Sequence, residues 1–539
     1  MKRLLNWRSL LVYTHRWLGI AGCVLFVAWF VSGIVMMYVR MPIVAAEERL
    51  ARAEALDLST ATLSIGEAAE RVGLPVDGAR VVMHDGRPAY RFGGRDPFVV
   101  YADDGSFFDG IGADEAEAVA RRFVPGYQGR LRYVAYLAEP DQWTLQAGRL
   151  LPMHLFAADD RAGTEVYVSE VTGEVALRTT RAERFWGYLG PVTHWLYFTP
   201  LRRNGSLWAD VVIWSSLIGC FMCVTGLVWG LLRYSPAGRF RIKRQPANSP
   251  YTGMMKWHHY AGLVFGVITL TWAYSGLLSM GPFNWFRTPP MSRTQREAST
   301  GGPLRADALT LESMRAALAE FQRAYPPKEL EVLQFRGEPY WAADRAPSEE
   351  EAAIWMNAGL WPRAEKPRLE RAYVSAMTPS AGMRTEFGRD AMHEIARAAM
   401  PGVVVRDAVW LTDYDGYYYD PRGSRTLPVL RVRYEDPQQT WLYLDPRRGG
   451  IVQRSESTGR LRRWLYQGLH SLDFPQIYFK RPLWDVIVIV LSLGGIALGA
   501  TSLLPAWRRL KRRTAAIVSW RPRLAGVRSG ATTLSKESA

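Results

Sequence analysis

Cysteine is scarce in this chain of 539 residues, and the positions of the three cysteines restrict their role. Cys23, Cys220 and Cys223 all fall within long apolar runs, so the polar stretches between those runs contain no disulfide framework. "CFMC" (220–223) has the CxxC spacing, but no histidine follows it, which excludes covalent attachment of a c-type haem. A zinc site would need further ligands. We therefore predict that the cysteines are small packing residues.

Acidic residues are missing from residues 1–16 and 233–258, and residues 506–539 contain only Glu537. These three segments are rich in lysine and arginine. Together they carry more positive charge than the whole chain, whose net charge is +16, so the remainder is close to neutral. Each segment flanks a long apolar run, and such a bias marks the cytoplasmic side of membrane helices. The charge therefore predicts topology and excludes nucleic acid as a partner.

Charged residues are also missing from the centres of four apolar runs, each long enough to cross a bilayer. This absence argues against a transporter, which needs an ion or substrate path. The first run is longer than the apolar region of a signal peptide, so we expect it to be retained. The predicted organisation is a cytoplasmic N-terminus (1–16), transmembrane helix 1 (17–39), periplasmic domain 1 (40–208), helix 2 (209–232), a basic cytoplasmic loop (233–259), helix 3 (260–281), periplasmic domain 2 (282–483), helix 4 (484–505) and a basic cytoplasmic tail (506–539).

An internal repeat relates the two halves of the chain. In the first repeat block, "YTHRWLGIAGCVLFVAWFVSG" (13–33) recurs as "KWHHYAGLVFGVITLTWAYSG" (256–276), which aligns His15 with His258. A second repeat block has a larger offset, and it aligns His194 with His470 without a gap. The difference between the two offsets places extra sequence within about 340–385. The fold class is therefore a membrane α-helical protein: four transmembrane helices in two parallel repeats, related by an axis along the membrane normal.

The two long outer segments have the patterns of α+β domains. "DEAEAVARRFVPG" (114–126) is typical of a short amphipathic helix, and alternating runs such as "LRYVAYL" (131–137) and "TEVYVSE" (164–170) follow it. The second half repeats this order with "MHEIARAAMPG" and "TLPVLRVRYE". We expect one large periplasmic α+β domain in each half.

The repeat-matched histidines lie near membrane boundaries, His15 and His258 at the cytoplasmic end, and His194 and His470 on the outer side. Two neutral imidazoles related by a twofold axis can approach one iron from opposite sides, as in a six-coordinate haem that transfers single electrons. Arg16 is available for a propionate. We predict two haems b with these four histidines as axial ligands. The alternatives are histidines that anchor helices at the interface and, with too few ligands, a zinc site.

The other four histidines have no histidine at the repeat-equivalent position, and we expect them to pack or face solvent. They are His84, His154, His259 and His393.

"HRWLG" at the start of a membrane helix, its second copy "HHYAG" and the "WxxSG" end of that helix resemble the PepSY-associated transmembrane family of bacterial inner-membrane proteins. The resemblance covers roughly residues 10–506. It implies PepSY-like outer domains, and family members include periplasm-facing ferric-siderophore reductases that carry haem b. The second copy has His259 where the first has Arg16, so His258 and His259 are both candidate ligands, with the alignment of the first repeat block favouring His258.

These observations predict an inner-membrane oxidoreductase with both termini in the cytoplasm. Electrons would come from a cytoplasmic donor or from quinol and would reduce a ferric siderophore or another iron chelate in the periplasm. The rival hypothesis is a membrane-anchored PepSY-domain protein that binds or regulates an envelope partner without redox activity. In that case the histidines would be structural.

Overall fold

The computed structural model describes residues 6–76, 78–93, 98–286, 288–348, 350–352, 369–420 and 425–527, with side chains to residue 515. The chain forms two compact units. The helical unit comprises residues 1–34, 209–282 and 466–539, and the sheet unit comprises residues 35–208 and 283–465. Each half of the chain contributes to both units.

The helices in the described residues are, in chain order, α1 (Trp7–Met36), α2 (Ala46–Arg52), α3 (Ile65–Val72), α4 (Ala113–Arg121), α5 (Arg181–Gly187), α6 (Thr193–Trp195), α7 (Thr199–Arg202), α8 (Gly205–Leu232), α9 (Met254–Ser279), α10 (Arg293–Thr300), α11 (Leu311–Gln322), α12 (Arg389–Ala399), α13 (Ser457–Arg463), α14 (Leu469–Ser471), α15 (Pro475–Tyr478) and α16 (Leu483–Val527). Two π-helical segments, Tyr188–Val192 and Trp464–Gly468, precede α6 and α14.

The helical unit contains the four long apolar helices α1, α8, α9 and α16. Each is long and apolar enough to cross a membrane, which confirms the prediction of four such helices. Large apolar side chains such as Val264 and Trp214 lie on the outside of the unit, 70% and 58% exposed. This surface is what a bundle surrounded by lipid requires.

Glycines allow these helices to approach closely. A Cβ on Gly219 of α8 would lie 2.9 Å from the Phe26 ring of α1, and a Cβ on Gly495 of α16 would collide with the Phe30 ring of the same helix α1. Without a hydrophobic driving force in lipid, such close packing is a main source of helix association. Phe26 and Phe30 form the buried core of the unit together with Cys223 and Ala273.

The strands of the described residues are β1 (Arg80–His84), β2 (Arg87–Phe92), β3 (Phe98–Tyr101), β4 (Arg132–Leu137), β5 (Met153–Ala157), β6 (Glu165–Ser169), β7 (Val175–Thr179), β8 (Phe240–Ile242), β9 (Gln245–Ala247), β10 (Glu329–Phe335), β11 (Glu338–Asp344), β12 (Arg371–Ser375), β13 (Met383–Arg384), β14 (Val405–Leu411), β15 (Val429–Tyr434), β16 (Trp441–Asp445) and β17 (Gly450–Ser455).

The largest sheet of the sheet unit joins both halves of the chain. Its strand order is β13-β12-β11-β10-β1-β2-β3, with β1 antiparallel to β10 and Val82 opposite Glu329. Tyr90 and Trp341, both fully buried, lie in the core that α3 and α11 cover on one face. The sequence predicts one domain in each outer segment, whereas in the structure the two segments share this sheet.

Two four-stranded antiparallel sheets complete the sheet unit, with orders β4-β5-β6-β7 and β14-β15-β16-β17. The short helix α4 packs on the first and α12 packs on the second. These separate β-sheet regions confirm the α+β character expected of the soluble part.

Candidate functional site

His15 and His258 lie close together in the helical unit. His15 belongs to the first part of α1 and His258 to the first part of α9. Their ring centroids are 6.3 Å apart, and the ring planes are inclined by 41°. The two histidines that the first repeat block aligns therefore stand side by side.

Each of these imidazoles is held through Nδ1 by a neighbouring helix. Nδ1 of His15 lies 3.0 Å from the carbonyl oxygen of Met222, and Nδ1 of His258 lies 3.2 Å from the carbonyl oxygen of Leu498. A carbonyl oxygen can only accept, so both Nδ1 atoms carry the proton and both Nε2 atoms have a free lone pair. Metal-bound histidines are fixed in this way by a second hydrogen bond.

The residues that supply these two carbonyl groups are equivalent positions of the repeat. Met222 and Leu498 are separated by the same number of residues as His194 and His470 of the second repeat block. On His258, the hydroxyl of Thr501 adds a contact of 3.3 Å to Nδ1. Sequence reasoning missed these partners, since a backbone carbonyl has no residue-type signature.

Gly226 provides the space for the His15 ring. A Cβ at this position would lie 2.5 Å from Cε1 and 2.9 Å from Nδ1 of His15, closer than side chains pack. The glycine therefore lets the imidazole lie directly against the backbone of α8. Gly226 lies one turn beyond Met222 on α8. The sequence alone could not identify this role, because it does not show that α8 packs against α1.

His259 is engaged differently from its neighbour. It is 6% exposed, its Nδ1 lies 2.8 Å from the Ser249 hydroxyl, and its Nε2 lies 2.8 Å from the carbonyl oxygen of Gly230. Both ring nitrogens are thus occupied by protein groups. Of the two adjacent histidines, His258 is the one whose Nε2 makes no hydrogen bond within the described part of the chain.

The geometry of His15 and His258 fits two axial ligands of one iron. A metal–imidazole bond is about 2 Å long and Nε2 lies about 1 Å from the ring centroid, so two imidazoles on opposite sides of one metal have centroids about 6 Å apart. The observed separation is 6.3 Å. In the described residues no group of three or more histidine, cysteine or acidic side chains could hold a metal ion. Two imidazoles would suffice for an iron whose other four ligands are porphyrin nitrogens.

The second predicted pair is divided between the units. His470 lies in α14 of the helical unit, with Nδ1 3.0 Å from the Ser275 hydroxyl of α9. Burial lowers the pKa of His470 to about 4, so its imidazole is neutral at pH 7, the form that binds iron. His194 lies in α6 of the sheet unit. The pairing of His194 with His470 stays a prediction from the sequence.

Arg16 follows His15 on α1 and is partly exposed. Among the described residues its guanidinium has no hydrogen bond or ion pair, and its contact with a propionate stays a prediction from the sequence. The three cysteines are unpaired thiols, with Cys23 and Cys223 buried in the helical unit.

A family model described as the PepSY-associated TM region matches residues 12–359, well over half of the chain. No curated protein matches the chain. The match includes α1, α8 and α9, and with the four apolar helices it indicates a multi-pass membrane protein. The chain belongs to the family of proteins with a PepSY-associated transmembrane region.

Proposed function

We propose that the chain binds haem b between His15 and His258 and transfers electrons across the inner membrane to a ferric siderophore in the periplasm. The observation that carries this proposal is the pair of imidazoles 6.3 Å apart, each with Nδ1 held by a backbone carbonyl of another helix. An interfacial anchor needs neither a partner histidine nor a fixed tautomer.

The repeat supports two related ligand positions. The first repeat block aligns the two histidines, and the offset of the second repeat block aligns their carbonyl partners, Met222 and Leu498. A parallel repeat of this kind puts equivalent groups on either side of an axis along the membrane normal. Two equivalent histidines on either side of such an axis can bind one iron that lies on it.

The basic segments indicate which side of the membrane each part of the chain faces. The cytoplasmic side is the one that carries residues 1–16, 233–258 and the basic tail, so both termini and the site of His15 and His258 lie toward the cytoplasm. The sheet unit then lies in the periplasm, where an iron chelate arrives. A second haem near His194 and His470 would shorten the distance that an electron crosses.

A haem held by His15 and His258 would supply one-electron chemistry. The chain fixes the orientation of the two imidazoles through the carbonyl oxygens of Met222 and Leu498. Packed aromatic groups exclude water from the interior of the helical unit, for example Phe30, whose ring centroid is 5.6 Å from that of Trp272. Reduction releases iron because oxygen-rich chelators favour Fe(III), the harder cation.

The function is tested with spheroplasts that express the chain and receive a ferric hydroxamate chelate from outside. An impermeant ferrous chelator measures the Fe(II) that forms. We expect activity above the empty-vector level in the wild type and its loss in His15→Ala and His258→Ala. The control His259→Gln changes the neighbouring histidine of the same helix, and we expect it to retain activity. Equal rates in the wild type and in His258→Ala would refute the proposal.

A further inference from the structure

A cavity of about 350 Å³ lies within the sheet unit and is separate from the histidine pair. Its walls come from the β1–β3 side of the large sheet, from α2 and α4, and from the turn between β6 and β7. Cavities of this volume accommodate small organic molecules. The apolar and aromatic lining residues include Val82, Val99, Ile111, Phe108 and Tyr101.

The second half of the large sheet has strands in the same register. His84 faces Arg87 at the end of β1 as Phe335 faces Glu338 at the end of β10. In the first half, Val99 of β3 pairs with Arg91, which pairs with Arg80. In the second half, Tyr373 of β12 pairs with Ala342, which pairs with Glu331. Val99 and Tyr373 are therefore equivalent positions. The two halves can therefore be compared position by position.

A further equivalent pair lies before the helices. Ile111 precedes Gly112, the N-cap residue of α4, and Phe387 precedes Gly388, the N-cap residue of α12. The backbone N–H groups of Ile111 and Phe387 donate to the carbonyl oxygens of Glu170 and Pro446, which the offset of the second repeat block also aligns. Ile111 and Phe387 thus occupy the same place in the two halves.

Aromatic rings fill this place in the second half. The ring centroid of Phe387 is 3.9 Å from that of Phe335 and 4.9 Å from that of Tyr373, and all three residues belong to one buried core. In the first half the equivalent residues are Ile111, His84 and Val99. Smaller or more polar side chains at these positions keep open the space that the other half packs.

A buried histidine lies at the wall of the cavity. His84 is 9% exposed, its ring centroid lies 4.2 Å from that of Phe108, and its Nδ1 lies 3.4 Å from the Tyr101 hydroxyl. Its Nε2 is buried and makes no hydrogen bond within the described chain. Burial lowers the pKa of His84, because the charged form of the ring loses hydration in the sheet unit.

The unpaired charges of the lining are mainly negative. Arg49, Arg91 and Arg122 are neutralised by Glu329, Glu174 and Glu54. Asp85, Asp109 and Glu115 are exposed residues without an ion pair in the described part of the chain, and the Glu115 carboxylate accepts a hydrogen bond from the Gly112 N–H. Among the described lining cations, Lys328 alone has no ion pair. Carboxylates without counter-ions beside aromatic rings form the environment that attracts an organic cation.

We propose that this cavity binds a small organic ammonium ion. Its charge faces Asp85, Asp109 and Glu115, and its apolar body packs on Val99 and Phe108. This site is distinct from the haem site and does not depend on it.

The test is calorimetric titration of the full-length protein in detergent with benzylammonium, corrected by titration of empty micelles. Benzoate has the same shape and the opposite charge. We expect saturable binding of benzylammonium, no binding of benzoate and at least tenfold weaker binding of benzylammonium to Asp85→Asn. Absence of saturable benzylammonium binding, or equal binding of benzoate, would overturn the inference.

Val99→Tyr introduces the residue that the second half has at the equivalent position, and we expect it to abolish binding. Val409→Tyr is the matched control, because Val409 is 41% exposed on β14 and does not line the cavity. Unchanged binding in Val99→Tyr, with a normal thermal unfolding curve, would contradict the proposal. If Val99→Tyr fails to fold, Asp85→Asn decides. The haem spectrum is recorded separately, so failure of this site leaves the proposed function untouched.

Discussion

Replacing Gly226 with alanine places a methyl group against the His15 imidazole. The new Cβ would lie 2.5 Å from Cε1 of His15, whereas nonbonded carbon atoms pack at about 3.5–4.0 Å. The ring must therefore move by about 1 Å, far more than the roughly 0.2 Å that a metal–ligand distance tolerates. The same movement disrupts the 3.0 Å contact of Nδ1 with the Met222 carbonyl oxygen. We expect Gly226→Ala to lose ligation by His15.

The assay is the haem-to-protein ratio and the reduced-minus-oxidised absorption spectrum of the purified variant. Alanine favours the helical state by about 1 kcal/mol over glycine, so α8 is expected to remain folded. Gly205→Ala is the matched control, because it makes the same change on the same helix where the nearest heavy atom, Nη1 of Arg202, is 3.5 Å from the new Cβ. A Gly226→Ala protein with the wild-type spectrum and haem content would refute the reasoning.

Three further predictions concern hydrogen bonding and charge. Thr501→Val removes the hydroxyl that lies 3.3 Å from Nδ1 of His258. Because the imidazole then donates less electron density to a bound iron, we expect redox titration to give a midpoint potential about 20 mV higher. The control Thr271→Val, whose hydroxyl contacts only its own helix, should leave the potential unchanged. Glu329→Gln leaves the Arg49 guanidinium without its carboxylate partner, which we expect to lower the free energy of unfolding by about 3 kcal/mol, measured by tryptophan fluorescence in urea. Burial raises the pKa of Glu329, but the Arg49 guanidinium outweighs burial, so the pKa lies below its usual value. The ion pair therefore contributes fully to the free energy of unfolding above about pH 4.3, and this contribution is lost as the pH falls through the lowered pKa. The wild type should therefore lose stability more steeply than Glu329→Gln below pH 4, and parallel curves would contradict this assignment.

The four membrane helices could be predicted from sequence because apolar composition over about 20 residues is a strong signal. The helices in the structure extend beyond the apolar runs; α1 begins at Trp7, for instance. Polar residues at a helix end remain helical while they face water, so hydropathy marks the part of the helix in lipid rather than the whole helix.

The proximity of His15 and His258 could be predicted because an internal repeat supplies a symmetry that a single histidine lacks. The alignment of the first repeat block favours His258 over His259, but a sequence alignment does not show what either ring contacts. It is the engagement of His259 with Ser249 and Gly230 that distinguishes them.

The shared sheet also escaped prediction. Pairing of β1 with β10 joins Val82 to Glu329 across nearly half the chain, and period-two alternation identifies a strand without identifying its neighbour. The same limit hid the cavity, because the difference between Val99 and Tyr373 acquires meaning only when both are placed in register.

The proposed haem site is tested most directly by low-temperature EPR of the oxidised protein purified from haem-replete cells, recorded for the wild type, His258→Ala and His259→Gln. We predict a low-spin six-coordinate signal in the wild type and in His259→Gln, and the loss of one such centre in His258→Ala. A protein without haem, or a signal that survives His258→Ala and disappears in His259→Gln, would contradict ligation by His15 and His258.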